Sequence, residues 1–230
     1  PVFENIFNQG KSNLKDTPET NDNFGSVISS GDFNNDGSYD LVVTAPTETT
    51  QAGSGEGAAH LLYSFPSLSN NDFLARDTSN SNQGNNANFG ASSASGDFNG
   101  DGFDDLVIGI PGEDVNGMSN AGAIQIFYAS DNGFPNIQIL HQDTNWVAGI
   151  AHADDRFGSA LAVGDMDADG YDDLVVGVPG EYYWPNNRFC TIRGADACGH
   201  VGAINVIYGS PTGLSGWDDH YFGQNTSRVA

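Results

Sequence analysis

Small, apolar and polar positions recur along this chain in one pattern, written three times. A stretch of small and apolar residues comes first, at 26–30, 91–95 and 159–163. A run rich in Val, Leu and Ile follows at 41–44, 106–110 and 174–178, and stops at Pro46, Pro111 and Pro179. A third, alternating run occupies 58–63, 123–128 and 203–208, and a weaker fourth lies around Phe73 and Leu74, 137–140 and 220–222. Each unit opens on Phe-Gly, at Phe24, Phe89 and Phe157, so the phase returns after 65 and then 68 residues. Short β-branched runs with a period of two, bounded by Gly, Pro, Asn and Asp, predict strands. Four such strands in a repeat of this length predict a β-propeller blade.

Between the first two strands of each unit stands an acidic loop: Asp32, Asn34, Asp36, Gly37 and Asp40; Asp97, Asn99, Asp101, Gly102 and Asp105; Asp165, Asp167, Asp169, Gly170 and Asp173. Oxygen side chains at positions 1, 3, 5 and 9, with glycine at 6 for a sharp reversal, can surround one hard cation that takes about six to eight oxygen ligands. Position 7, here Ser38, Phe103 and Tyr171, is counted with them, because in related loops it offers its backbone carbonyl. A helix-flanked calcium loop would carry Glu at position 12 and run on into a helix. Here position 12 is Val43, Ile108 or Val176 inside a strand sequence, so the loop is expected within a β-hairpin. Three Ca²⁺ sites are therefore expected, the third tightest because it alone has four carboxylates at these positions. Carboxylates held around a metal cannot shuttle protons, which argues against reading them as catalytic acids.

Phe-Gly, the Asp-rich loop and the Ala45-Pro46, Ile110-Pro111-Gly112 and Val178-Pro179-Gly180 stretches together resemble the FG-GAP repeat, found in the propeller of integrin α subunits and in many secreted bacterial proteins. The resemblance runs from about residue 23 to 210 and implies an all-β fold of three FG-GAP blades, at about 23–76, 88–142 and 156–224, in a single propeller region spanning 1–230. Its departures are mild: Thr47 replaces the glycine after Pro46, and Asn34 and Asn99 replace Asp. Propellers close with about four to eight blades. The chain is thus expected either to be part of a larger propeller or to complete a ring with a second copy. Residues 4–9 resemble the fourth-strand segments 136–142 and 217–224, which favours part of a larger propeller.

Composition narrows the setting. A net charge of −23, with only seven Lys and Arg, makes nucleic acid and anionic membrane surfaces poor partners. There is no transmembrane run. The two cysteines, Cys190 and Cys198, flank seven residues in the loop after the last Val-Pro-Gly, where a disulfide would tie off the excursion. Loops of this kind also suit millimolar extracellular calcium. A secreted or cell-surface location is expected, and Asn225 begins a glycosylation sequon.

The resemblance puts ligands on the rim opposite the calcium loops. Loop length varies there, and the longest loop, 181–202, holds Tyr182, Tyr183, Trp184 and Arg188, residue types suited to recognising a protein or stacking on a sugar. Capping of the last blade by the same aromatics is the competing reading. Trp146 and Trp217 are expected between blades, and the five histidines are read as structural. No Gly-x-Ser-x-Gly elbow, His-Glu-x-x-His or P-loop is present. The expectation is a non-catalytic, calcium-binding recognition or adhesion module for an extracellular protein or glycan, or alternatively the propeller portion of a secreted hydrolase of phospholipase or polysaccharide-degrading type.

Overall fold

The computed structural model describes residues 8–9, 14–50, 53–63, 70–77, 86–182 and 200–223, with backbone alone for 216–218. Among the described residues twelve strands form three four-stranded antiparallel sheets, each in chain order. The first contains β1 (Ile28–Gly31), β2 (Asp40–Ala45), β3 (Ala58–Leu62) and β4 (Asn71–Ala75). In the second are β5 (Ser92–Gly96), β6 (Asp105–Ile110), β7 (Ala123–Ser130) and β8 (Gly133–Leu140). The third holds β9 (Ala160–Gly164), β10 (Asp173–Val178), β11 (Ala203–Tyr208) and β12 (Ser215–Gly223). These are the three predicted blades, with strand ends within a few residues of expectation. Among the described residues no helix is long and apolar enough to cross a membrane.

The second strand of each blade is deeply buried because both of its faces meet apolar neighbours. In β6, Leu106, Ile108 and Ile110 face the first sheet and join Val42, Leu61 and Phe89. Val107, one step out of phase, faces the third sheet and joins Leu174, Val176 and Phe157. Successive side chains point to opposite faces of a strand, so one β-branched run serves two interfaces. Trp146 packs on this second cluster, in the inter-blade place expected of it. The first strands are made of small residues because neighbouring blades converge there. β5 lies against both β1 and β9, and Ser93 Oγ hydrogen-bonds Ser29 Oγ at 2.8 Å while Ser95 Oγ donates to Ser30 O at 2.7 Å.

The Phe-Gly motif is the joint between blades. Phe89 N donates to Glu56 O at 2.8 Å, and Phe157 N donates to Ala121 O at 2.9 Å. Each phenylalanine is fully buried. The glycine receiving it, Gly57 or Gly122, has φ of +87° or +88°, and a Cβ there would lie 2.1 or 2.3 Å from the phenylalanine carbonyl oxygen. Close approach of two backbones thus requires glycine. Gly202 repeats the position in the third blade, where among the described residues a Cβ would meet nothing nearer than Pro179 O at 3.5 Å. The outer face of that blade carries half-exposed Ile204 and Phe222.

Candidate metal sites

Each acidic loop joins the first two strands of its blade and is shaped by the same four bonds. In the first, Asp36 N donates to Asp32 Oδ1 (3.0 Å) and Asn34 Oδ1 (2.9 Å), Gly37 N to Asp32 Oδ2 (2.9 Å), and Ser38 N to Asp36 Oδ1 (2.8 Å). The second repeats them through Asp97, Asn99 and Asp101, and the third through Asp165, Asp167 and Asp169. Positions 4 and 6 turn left-handed in every loop: Asn35 and Gly37, Gly100 and Gly102, Ala168 and Gly170 all have positive φ. These bonds fold the side-chain oxygens inward.

Position 9 is the first residue of the second strand, one residue earlier than the hydrophobic run suggests, and Asp40, Asp105 and Asp173 are all buried. Asp105 accepts from Phe98 N at 3.2 Å and Ala129 N at 2.8 Å, and Asp173 from Met166 N at 2.7 Å and Gly209 N at 2.9 Å. The same carboxylate therefore closes the loop and ties it to the end of the third strand, at Ala129, or to the residue just after it, at Gly209. In the third loop, oxygens of Asp165, Asp167 and Asp173 lie within 4.8 Å of one another. Ligands about 2.3–2.6 Å from one Ca²⁺ have at most about this separation, so the oxygen set fits a hard dication. Burial pushes Asp105 up to about 8, aided by Asp101 and Asp97, and burial together with the charge of Asp169, Asp173 and Asp165 raises Asp167. A dication is what would hold these groups ionised.

Position 8 links the loops to one another. Asp104 Oδ2 accepts from Asp32 N at 2.8 Å, and Asp172 Oδ2 from Asp97 N at 3.0 Å. Both are matched by returning backbone bonds, Asp104 N to Asp32 O and Asp172 N to Asp97 O. Position 8 of each later loop thus holds position 1 of the loop before it. The first loop has Tyr39 there, 72% exposed. This contrast is visible in the sequence as Tyr-Asp against Asp-Asp, but its meaning depends on contacts more than 70 residues apart.

A second set of acids occupies the opposite end of the sheets. Just beyond the second strands, Glu48, Glu113 and Glu181 are all buried. Each meets a residue from earlier in the chain: Arg76 and Gln142 follow the last strand of the preceding blade, and Gln9 precedes the first blade. Gln9 Nε2 donates to Glu48 Oε2 at 2.8 Å, Arg76 pairs with Glu113 and, at 2.8 Å, with Glu56, and Gln142 Nε2 donates to Glu181 Oε2 at 2.5 Å. Around Glu181 stand Asp155 and His152, and around Glu48 stand Asp16 and Glu19, each trio with ligand atoms within 4.8 Å. Burial raises Glu48 to about 8 and Asp155 to about 6, and also raises Glu113 and Glu181. Sequence reasoning passed over these residues, although Pro-x-Glu recurs at Pro46, Pro111 and Pro179. A cleft of about 500 Å³ opens at this end, lined among others by Arg76, Glu113, Asn116, Ile137 and His141.

These raised acids set a pH dependence. A carboxyl whose folded value lies above its unfolded one favours the folded chain when protonated, so its contribution is lost as pH climbs from the unfolded value, near 4, through the folded one. With Asp155 raised to about 6 and Asp105 and Glu48 to about 8, the metal-free chain should lose stability between about pH 5 and about pH 8. Urea unfolding midpoints measured across that range check this. Saturating calcium should reduce the slope, since ligand carboxylates bind metal deprotonated.

Of the rim residues expected to bind ligand, Tyr182 is half-buried, with its ring against those of His152 and His200. Tyr183, Trp184, Arg188, Cys190 and Cys198 lie outside the described residues, as does the side chain of Trp217. His60 is buried between the rings of Phe24 and Phe73.

Comparison with known proteins gives the same periodicity. The FG-GAP repeat matches residues 24–62, 89–127 and 157–189. The chain is 34% identical over 120 residues to phosphatidylinositol-glycan-specific phospholipase D of Bos taurus, an alignment covering 52% of this chain and 13% of that protein. Over 160 residues it is 35% identical to integrin alpha-3 of Cricetulus griseus, covering 67% and 14%, and over 159 residues 30% identical to integrin alpha-PS5 of Drosophila melanogaster, covering 68% and 15%. The aligned region is thus about one seventh of each of these relatives.

Proposed function

Because this chain belongs to the FG-GAP repeat family, we propose that it serves as a calcium-stabilised extracellular recognition module, binding protein or glycan through the rim opposite its acidic loops. The observation that carries this reading is the repetition of one oxygen cradle three times at one end of the sheets, while loop length varies at the other. Asp32, Asn34, Asp36, Ser38 and Asp40 would hold one Ca²⁺, with their counterparts in the other two loops holding two more. Calcium would supply charge that neutralises clustered carboxylates and pins each hairpin, so that metal affinity becomes folding free energy. Its role is structural, and residues 1–230 act as a single propeller region completed by further blades.

Recognition falls to the loops after the second strands and the cleft beside Arg76, with Tyr182, Tyr183, Trp184 and Arg188 as contacts and Cys190 bonded to Cys198. A panel of glycans and extracellular matrix proteins, screened in millimolar calcium, tests this. Binding that disappears on chelation and in Trp184→Ala, with the melting temperature of that variant unchanged, is expected. No binding to any panel member, with Trp184→Ala altering stability alone, would contradict recognition by this loop.

The similarity to a phospholipase D favours a second reading, in which this propeller accompanies a catalytic domain elsewhere in a secreted hydrolase. Hydrolysis of a phospholipid or polysaccharide by this chain alone would overturn its assignment as non-catalytic.

A further inference from the structure

The buried acids at the junctions between blades fall into equivalent places. Two residues before each Phe-Gly stand Asp22, Ala87 and Asp155, and just after each second strand stand Glu48, Glu113 and Glu181. At the middle junction the fold supplies its own cation. The Arg76 guanidinium, 2% exposed, lies between Glu113 and Glu56, and Ala87 stands where the other junctions have Asp.

At the last junction the carboxylates are kept and the guanidinium is not. Asp155 and Glu181 are 0% and 4% exposed, and Gln142, which is neutral, occupies the place that Arg76 fills one blade earlier. Among the described residues no Lys or Arg forms an ion pair with either acid. His152 Nδ1 instead lies 3.4 Å from Asp155 Oδ2, and the donor atoms of His152, Asp155 and Glu181 lie within 4.8 Å of one another. The backbone fixes this arrangement, since His152 N donates to Asp155 Oδ2 at 2.6 Å.

Two oxygens at the cluster are left over. Asp155 Oδ1 and Gln142 Oε1 are buried and accept no hydrogen bond from the described residues, though the other head atom of each is engaged, Asp155 Oδ2 with His152 and Gln142 Nε2 with Glu181. A buried acceptor without a donor costs about 1–3 kcal/mol, and more for a charged group. A cation removes that cost. One imidazole with two carboxylates matches the ligand preferences of Zn²⁺ and other first-row divalent ions rather than those of Ca²⁺, and three protein ligands leave a position open to water or an incoming carboxylate. The His152 side chain, 30% exposed, gives an ion its way in.

We propose that His152, Asp155 and Glu181 bind a transition-series divalent cation, of the Zn²⁺ class, on the rim opposite the acidic loops, where Arg76 performs the same neutralisation by side chain at the preceding junction. The site is chemically distinct from the three oxygen cradles and independent of the recognition reading.

Titration of the full chain with Zn²⁺ in excess calcium tests it, with Co²⁺ as a spectroscopic stand-in. One equivalent of Zn²⁺ should bind per chain, and His152→Ala should weaken it at least about tenfold while leaving the bound calcium unchanged. Bound Co²⁺ should show visible d–d bands without a thiolate charge-transfer band. Absence of Zn²⁺ binding in calcium-saturated protein would overturn the proposal, as would Zn²⁺ affinity unchanged in His152→Ala. A thiolate band that persists in His152→Ala would overturn it too, by assigning the metal to cysteine. His152 is partly exposed and makes no part of the apolar clusters, so this variant should fold, and an unchanged calcium content confirms that it has.

Discussion

Arg76→Met should lower the unfolding free energy by about 3–5 kcal/mol, the range expected when one partner of a buried ion pair is removed and its counter-charge stays behind. The guanidinium is 2% exposed and pairs with two carboxylates, Glu56 and Glu113, that are themselves buried. Solvent cannot take its place. Burial already raises both acids, and Arg76 is the group that holds them back toward the ionised form. Urea unfolding in saturating calcium measures the loss. The triple variant Arg76→Met, Glu56→Gln, Glu113→Gln should recover most of it, because the buried charges go together with their partner. A loss below about 1 kcal/mol for the single variant would place this pair among solvated surface bridges.

The second large effect concerns the backbone. Gly122→Ala would set a Cβ 2.3 Å from Phe157 O and 2.4 Å from Phe157 N, on a residue whose φ is +88°. Neither contact can be relieved by a side chain moving aside, because both atoms belong to the backbone of the next blade. The Phe157 N to Ala121 O bond and the burial of Phe157 would be disturbed together. A loss of about 3 kcal/mol or more is expected, from strain and displaced packing combined. Gly202→Ala provides the contrast. Its φ is +75°, but the nearest atom of the described residues to the added Cβ is Pro179 O at 3.5 Å, so the conformational cost of about 1–2 kcal/mol is what applies. Equal losses in the two variants, measured by urea unfolding, would mean that Phe-Gly does not join the blades as described.

Which features the sequence revealed depended on how far apart the cooperating residues lie. The acidic loops were legible because all their oxygens come from nine consecutive residues, and the four bonds shaping each loop span two to five positions. Strands were legible from the period-two runs, to within a few residues. Asp104 and Asp172 were not, because they act on Asp32 and Asp97 in the preceding blade. Glu48, Glu113 and Glu181 were also passed over. An acid after a proline turn reads as solvated surface, and only the fold brings Gln9, Arg76 and Gln142 to cover it from 37 or 39 residues away. His152, one of five histidines read as structural, took on chemical interest only when Asp155 and Glu181 converged beside it.

Calcium counting by equilibrium dialysis, on the wild-type chain and on Asp169→Ala, bears most directly on the structural role given to the loops. Three bound Ca²⁺ per chain are expected, falling to two in the variant with a lower melting temperature in calcium, since Asp169 contributes one of the third loop's four carboxylates. A wild-type chain that binds no calcium, or a variant that still binds three, would contradict the assignment of these loops as the calcium sites that pin the blades.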